Sequence, residues 1–220
     1  MHPKERWDQC YYLSSTSNIA DRYLDCFGVM ESLTATGAGL AGLHPVMLDA
    51  GRPWALDNGV FTDSFDLDKF SSKLEAIRKW IDTCLFVVCP DVVGDSQATL
   101  ERFDRFAPWL HSLGFPVGLA TQDGLTIEQT PWGQFDVLFV GGTDQHKLGP
   151  EAGVLIAEGI KRDKWIHIGR VNSPTRMRQF WRADSWDGTH IGYEPDRAAP
   201  KIAAAVREIR EWQKIGGWFL

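Results

Sequence analysis

Short apolar runs alternate with longer amphipathic stretches along this 220-residue chain. The clearest runs, CLFVVCPD, VLFVGG and WIHIGR, predict strands over 84–91, 137–141 and 165–169. They are continuous rather than alternating, as strands buried on both faces should be. Runs at 10–14, 46–49, 54–57, 117–121 and 185–191 bring the predicted strands to eight. Between the strands the spacing turns helical. Residues 67–83 place Phe70, Leu74, Ile77, Trp80 and Ile81 on one stripe. Residues 96–113 do the same with Leu100, Phe103, Phe106 and Leu110, with Pro108 placed to kink or split the helix. Helices are also predicted over 150–161, 174–182 and 198–214, the first two opened by a proline suited to a first helical turn. There is no repeat, low-complexity tract or long linker. This alternation predicts parallel βα units. The expected fold is α/β, a (β/α)8 TIM-like barrel forming one catalytic domain over 1–220. Because 46–49 and 54–57 stand too close for a full intervening helix, an open doubly wound sheet is the alternative.

Polar residues gather where the apolar runs stop. WAL is followed by Asp57-Asn58-Gly59, LFVVC by Pro90-Asp91, and VGLA by Thr121-Gln122-Asp123-Gly124. VLFV leads into Gly141-Gly142-Thr143, WIHI into Gly169-Arg170-Val171-Asn172-Ser173, and the last run carries Trp186-Asp187-Gly188. In a parallel barrel these ends share one face, where barrel enzymes keep their chemistry. Carboxylates, an amide, a guanidinium and glycines are the residue types a catalytic pocket needs. A single aspartate after a strand is more often a helix cap than a catalyst, and Asp66 and Asp95 are read as caps. His167 lies inside an apolar strand and is read as a core histidine. Trp80, Trp109 and Trp212 are read as packing between helices and barrel. Trp186, beside Asp187, is a candidate to stack on a planar ligand.

Composition narrows the classes. Hydrophobic residues make up 44% and charged residues 24%, ordinary values for a soluble globular protein. No apolar run is long enough to span a bilayer, and the start of the chain has no signal-peptide core, so no membrane association and a cytoplasmic location are expected. The net charge of −6 argues against broad binding to a phosphate backbone. Two local basic patches are candidates: Arg170 with Arg176, Arg178 and Arg182, and Lys161-Arg162-Lys164. The four cysteines, Cys10, Cys26, Cys84 and Cys89, form no CxxC pair and are read as reduced packing residues. Cys84 and Cys89 are expected on opposite faces of one strand. No metal site is expected.

Five of these segments, in order from Trp54 to Thr189, resemble the tRNA-guanine transglycosylase superfamily. LDNGVF is similar to its DSGGFQ segment, CPDVVGD to its second aspartate segment, and TQDG and FVGGT to the segments that hold the base. ADSWDGT is similar to the D-x-x-D segment carrying its nucleophile. With GRVNS, the set most resembles the compact, phage-associated DpdA-like branch linked to deazapurine modification of DNA. The resemblance implies a barrel and chemistry at an N-glycosidic bond, without a cofactor. It implies Asp187 as nucleophile at the sugar C1′, with Asp57 and Asp91 as its catalytic partners. Asp57 would be the acid/base or base-positioning group, and Asp91 would join Gln122 on the base edge. Asn58, Asp123, Gly141, Gly142 and Trp186 complete the expected base site, and Arg170, Lys147 and Arg176 the expected phosphate site. Val60 and Thr62 replace a glycine and the glutamine of DSGGFQ, and the zinc subdomain that helps engage tRNA has no counterpart. The expected partner is therefore DNA, with its nucleotide flipped out or single-stranded, together with a free nucleobase co-substrate if the reaction is exchange. Excision by water, leaving an abasic site, is the alternative outcome. An enzyme of free nucleotides or phosphosugars, motivated by the acidic net charge, is a further alternative. A nucleotide-binding protein that has lost the reaction ranks last.

Overall fold

The computed structural model describes residues 2–14, 23–33, 45–60 and 65–216. Eight parallel strands close into a barrel. They are β1 (Tyr11–Ser14), β2 (Phe27–Glu31), β3 (Trp54–Leu56), β4 (Cys84–Val88), β5 (Val117–Thr121), β6 (Val137–Val140), β7 (Trp165–Ile168) and β8 (Ser185–Asp187). Each pairs with its neighbours in sequence, and β8 returns to β1 through Tyr12↔Trp186 and Leu13↔Asp187. The open-sheet alternative is thereby set aside.

The second strand is not the expected one. Residues 46–49 lie in a short helix, α1 (Pro45–Asp49), and the barrel takes FGVME as β2. A four-residue apolar run is ambiguous between helix and strand. FGVME was not among the predicted strands, and its Gly28 serves a close approach. A Cβ there would sit 2.6 Å from Leu13 Cδ2 and 2.6 Å from the Pro53 carbonyl oxygen.

The helices form the outer layer. α2 (Leu67–Ile77) continues as a 3-10 segment, Arg78–Thr83, with non-helical dihedrals at Trp80. α3 (Ser96–Ser112) runs unbroken through Pro108. α4 (Asp144–Leu148), α5 (Pro150–Lys161), α6 (Pro174–Gln179), α7 (His190–Tyr193) and α8 (Pro195–Lys214) follow. The run at 185–191 therefore divides into β8 and α7. The crossover from β5 to β6 contains turns and no helix. Asp66 and Asp95 are caps as expected, accepting the Lys69 and Ala98 amides.

Two apolar layers hold the barrel. Leu13, Ala55, Phe86, Val88, Ala120, Val137 and Trp165 belong to the inner cluster that fills the lumen. The larger cluster lies between strands and helices and includes Phe70, Phe103, Leu110, Ile202 and Val206. Cys84 and Cys89 both belong to that outer layer, contrary to the simple alternation. The register slips where Trp54 faces Cys84 and Ala55 faces Phe86, a bulge at Leu85 that shifts the parity by one. All four cysteines are buried and free. No described helix is long and apolar enough to cross a membrane.

Candidate active site

The carboxyl ends of β3 to β8 surround a pocket of about 520 Å³ that opens to solvent. Its polar lining comes from Asp57, Asn58, Asp91, Gln122, Arg170 and Asp187, with Gly141, Gly142 and Gly169 as close backbone walls. Val88, Ala120 and Phe139 form the apolar part of the floor and continue the lumen packing. Residues 61–64 lie outside the described set, so Phe61 and Thr62 of the LDNGVF segment are not placed; nor are Gly217–Leu220 of the C-terminal tail.

Asp187 projects inward because β8 alternates: Ser185 and Asp187 share the lumen side, and Trp186 takes the other. Its Oδ1 accepts two hydrogen bonds, from the Arg170 amide at 2.9 Å and from His167 Nε2 at 3.2 Å. Arg170 reaches it from a left-handed backbone, φ +58°. Its guanidinium donates to the Gly142 carbonyl across the pocket. At Gly169 a Cβ would lie 2.9 Å from the Phe139 ring, so glycine is needed for β7 to pass that close.

Asp91 is the centre of an amide clamp. Its Oδ1 accepts from Asn58 Nδ2 at 2.7 Å and its Oδ2 from Gln122 Nε2 at 2.5 Å. Asn58 also donates to the Cys89 carbonyl at 2.9 Å, and Gln122 accepts the Gly94 amide at 2.8 Å. Burial raises the Asp91 carboxyl above its ordinary range, against the lowering effect of the Asn58 bond. Asp57 accepts the Gly59 amide at 3.1 Å. Burial pushes its carboxyl up to about 6, with the negative charges of Asp187 and Asp91 adding to the rise. The pocket thus holds three carboxyls in unequal environments, the arrangement that separates an acid from an anion.

Four expected site residues do not line this pocket. Trp186 is fully buried in the layer beneath the helices, on the face opposite Asp187, and cannot stack on a ligand there. Asp123 is occupied by Thr143, whose amide and hydroxyl donate to it at 2.9 and 2.6 Å. Lys147 is buried, with Nζ 2.7 Å from the Gly169 carbonyl, where it braces the strand end that carries Arg170. Burial lowers this ammonium to about 8, and Arg170 contributes further. Arg176 pairs with Asp144 at 3.6 Å outside the pocket. The remainder of the expected basic patches disperses. Arg178 is engaged by Glu208, and the turn at 161–164 precedes β7, at the opposite end of the barrel. Asp184, first of the D-x-x-D pair, is also at that far end, accepting the Ile166 amide at 2.7 Å.

His167 and Ser185 were not legible as site residues. His167 is fully buried but touches Asp187, and its Nδ1 is 2.8 Å from Ser185 Oγ. The signal that was present is parity: His167 and Gly169 share the lumen side of β7.

No protein-family model matches the sequence, and no curated protein matches it. Several solved structures match in three dimensions. A native KDPGal structure aligns with TM-score 0.57 at 14% identity, covering 95% of this chain and 97% of that one. The 3-hexulose-6-phosphate synthase from Salmonella typhimurium aligns at 0.54 and 16%, covering 91% and 100%. A tryptophan synthase from M. tuberculosis aligns at 0.54 and 14%, covering 92% and 91%. The chain has a TIM-barrel fold. At these identities the likeness concerns the fold alone.

Proposed function

We propose that this protein is an enzyme acting at the N-glycosidic bond of a nucleotide unit. One observation carries the reading: Asp187, anchored through one oxygen, and Asp57, with its carboxyl raised to about 6, open into the same pocket. This is a nucleophile and an acid in the roles that double displacement at a sugar carbon requires. The Asp187 carboxylate forms a bond to C1′ as the C1′–N bond breaks. The bonding pair leaves with the base nitrogen, and the proton held by Asp57 neutralises it. Water or a free base then attacks C1′, restores the Asp187 carboxylate and returns its proton to Asp57. Water gives excision and a base gives exchange. The Asp91 clamp and the Gly141–Gly142 backbone face the base, and Arg170 has the fork that suits a phosphate. The ordered resemblance to the transglycosylase superfamily supports this bond and favours DNA.

A second reading is an enzyme of free nucleotides or phosphosugars. The acidic net charge and the dispersal of the basic patches favour a small substrate. The fold is also shared with a 3-hexulose-6-phosphate synthase.

Both readings are separated by incubating the protein with genomic DNAs of different natural modification and, in parallel, with nucleoside monophosphates, and following released base by mass spectrometry. Release from DNA supports the polymer, release only from monophosphates supports the small substrate, and no release from either removes N-glycosidic chemistry. Asp187→Ala is expected to abolish release while far-UV circular dichroism stays that of the wild type. Retained release would remove Asp187 as nucleophile.

A further inference from the structure

Behind Asp187 lies a buried chain of polar groups that the reaction as described does not use. Trp165 Nε1 is 2.8 Å from Ser185 Oγ, Ser185 Oγ is 2.8 Å from His167 Nδ1, and His167 Nε2 is 3.2 Å from Asp187 Oδ1. Trp165, Ser185 and His167 are all essentially inaccessible to water. Their roles follow from donor chemistry. The indole N–H can only donate, so Ser185 Oγ accepts from it. The hydroxyl hydrogen is then available to His167 Nδ1, which accepts. A neutral ring that accepts at Nδ1 carries its proton on Nε2, and that proton points at Asp187. Phe139 holds the ring in place by stacking at 4.7 Å and 28°, while its other side belongs to the pocket floor.

The structure assigns His167, with its tautomer set by Ser185 and Trp165, as the residue that positions Asp187 and selects its Oδ2 as the reacting oxygen. The assignment rests on the reading of Asp187 as nucleophile. Both donors at this carboxylate, His167 Nε2 and the Arg170 amide, converge on Oδ1. No described residue donates to Oδ2. A carboxylate held at one oxygen by two donors cannot rotate to exchange its oxygens without breaking both bonds. Oδ2 is therefore presented to the pocket in a constant orientation. It forms the bond to C1′ and receives the electron pair back when that bond is cleaved. His167 keeps its proton throughout. It is a positioning residue and not an acid or base of the cycle.

The test has one arm that needs no substrate. Histidine labelled with nitrogen-15 reports ring protonation by NMR, and His167→Gln identifies the His167 signals by their loss. At pH 7.5 the free wild-type protein is expected to show His167 as the neutral Nε2–H form. A neutral Nδ1–H ring, or a cationic ring, would overturn the assignment. The second arm measures base release from the modified genomic DNA or nucleoside monophosphate on which the wild type turns over. His167→Leu, which removes the donor, is expected to lower kcat about 10- to 100-fold with KM little changed, the usual weight of a hydrogen bond to a charged group. His167→Gln returns an amide donor and is expected to recover most of that loss. Equal kcat in wild type and Leu variant, or equal losses in the Gln and Leu variants with both folded, would overturn the positioning role. If no substrate releases base, N-glycosidic chemistry fails and the NMR arm still decides the His167 geometry.

Discussion

Asp57, the acid of the proposed reaction, also carries a stability cost. Its folded-state carboxyl is raised to about 6, so the native protein binds this proton more tightly than the unfolded chain does. The stability tied to that proton is present at acid pH and is lost as pH rises from the ordinary carboxylate range through about 6. Asp57→Asn keeps an acceptor for the Gly59 amide and carries no charge at any pH. It is expected to raise the melting temperature above pH 6, by up to about 2 kcal/mol of stability, with the gain vanishing near pH 4. Base release should fall in the same variant. In the wild type, release should decline on the alkaline side of an apparent pKa near 6, because the acid must be protonated. A melting series from pH 4 to 8 and a pH–rate profile check both. Arg170 makes a similar point through its backbone. At φ +58° a side chain is strained and glycine is not. Arg170→Gly is expected to keep the amide bond to Asp187 and gain about 1 kcal/mol in chemical denaturation. It should raise KM for a phosphate-bearing substrate much more than it lowers kcat. Unchanged KM would take phosphate recognition away from Arg170.

At the scale of elements, the site depends on strand ends and the helix starts that follow them. Asp91 and Asp95 are four positions apart, and both follow β4. Asp91 is buried under two amide donors, whereas Asp95 caps α3 by accepting the Ala98 amide. The same residue type is thus a site group in one place and a helix cap in the other. Asp95→Ala is expected to cost about 1 kcal/mol of stability and leave kcat/KM for base release unchanged. A large loss of release in a folded Asp95→Ala protein would place that carboxylate in the chemistry. Alternation also decides which members of an element reach the pocket. On β8, Asp187 and Ser185 turn inward and Trp186 outward, so adjacency in sequence kept Trp186 from joining its neighbour. On β4 the bulge at Leu85 shifts the parity and puts Cys84 and Cys89 on one side.

For the whole molecule, charge sets the character of any nucleic-acid contact. The net charge is −6, and of the cations expected to form patches Arg170 alone lines the pocket, while Arg176 and Arg178 are held by carboxylates and the turn at 161–164 lies at the far end of the barrel. If DNA is the substrate, recognition is concentrated at the pocket. Binding to DNA is then expected to weaken only shallowly with salt, with a log–log slope of about −1 to −3 from one to three phosphate contacts. Fluorescence anisotropy between 50 and 200 mM salt measures this, and a slope several times steeper would reveal a broad cationic track.

The sequence by itself determined a great deal. Continuous apolar runs separated by amphipathic helices required parallel strands covered on both faces. Polar residues at the run ends predicted a polar pocket at one face, because all strand ends of a parallel barrel point the same way. Asp57, Asp91, Gln122 and Asp187 were legible for that reason. Capping aspartates and prolines at helix starts were legible because their bonds are local. The tertiary structure decided what depends on contacts between distant segments. FGVME became a strand because Gly28 lets β1 and the segment before β3 approach it closely. His167 joined the site because β7 pairs with β8 so that His167 faces Ser185, two positions from Asp187. Lys147, Asp123 and Arg176 left the pocket because partners on neighbouring elements engage them. Periodicity says which way a side chain turns, and only the closed barrel says what it meets there.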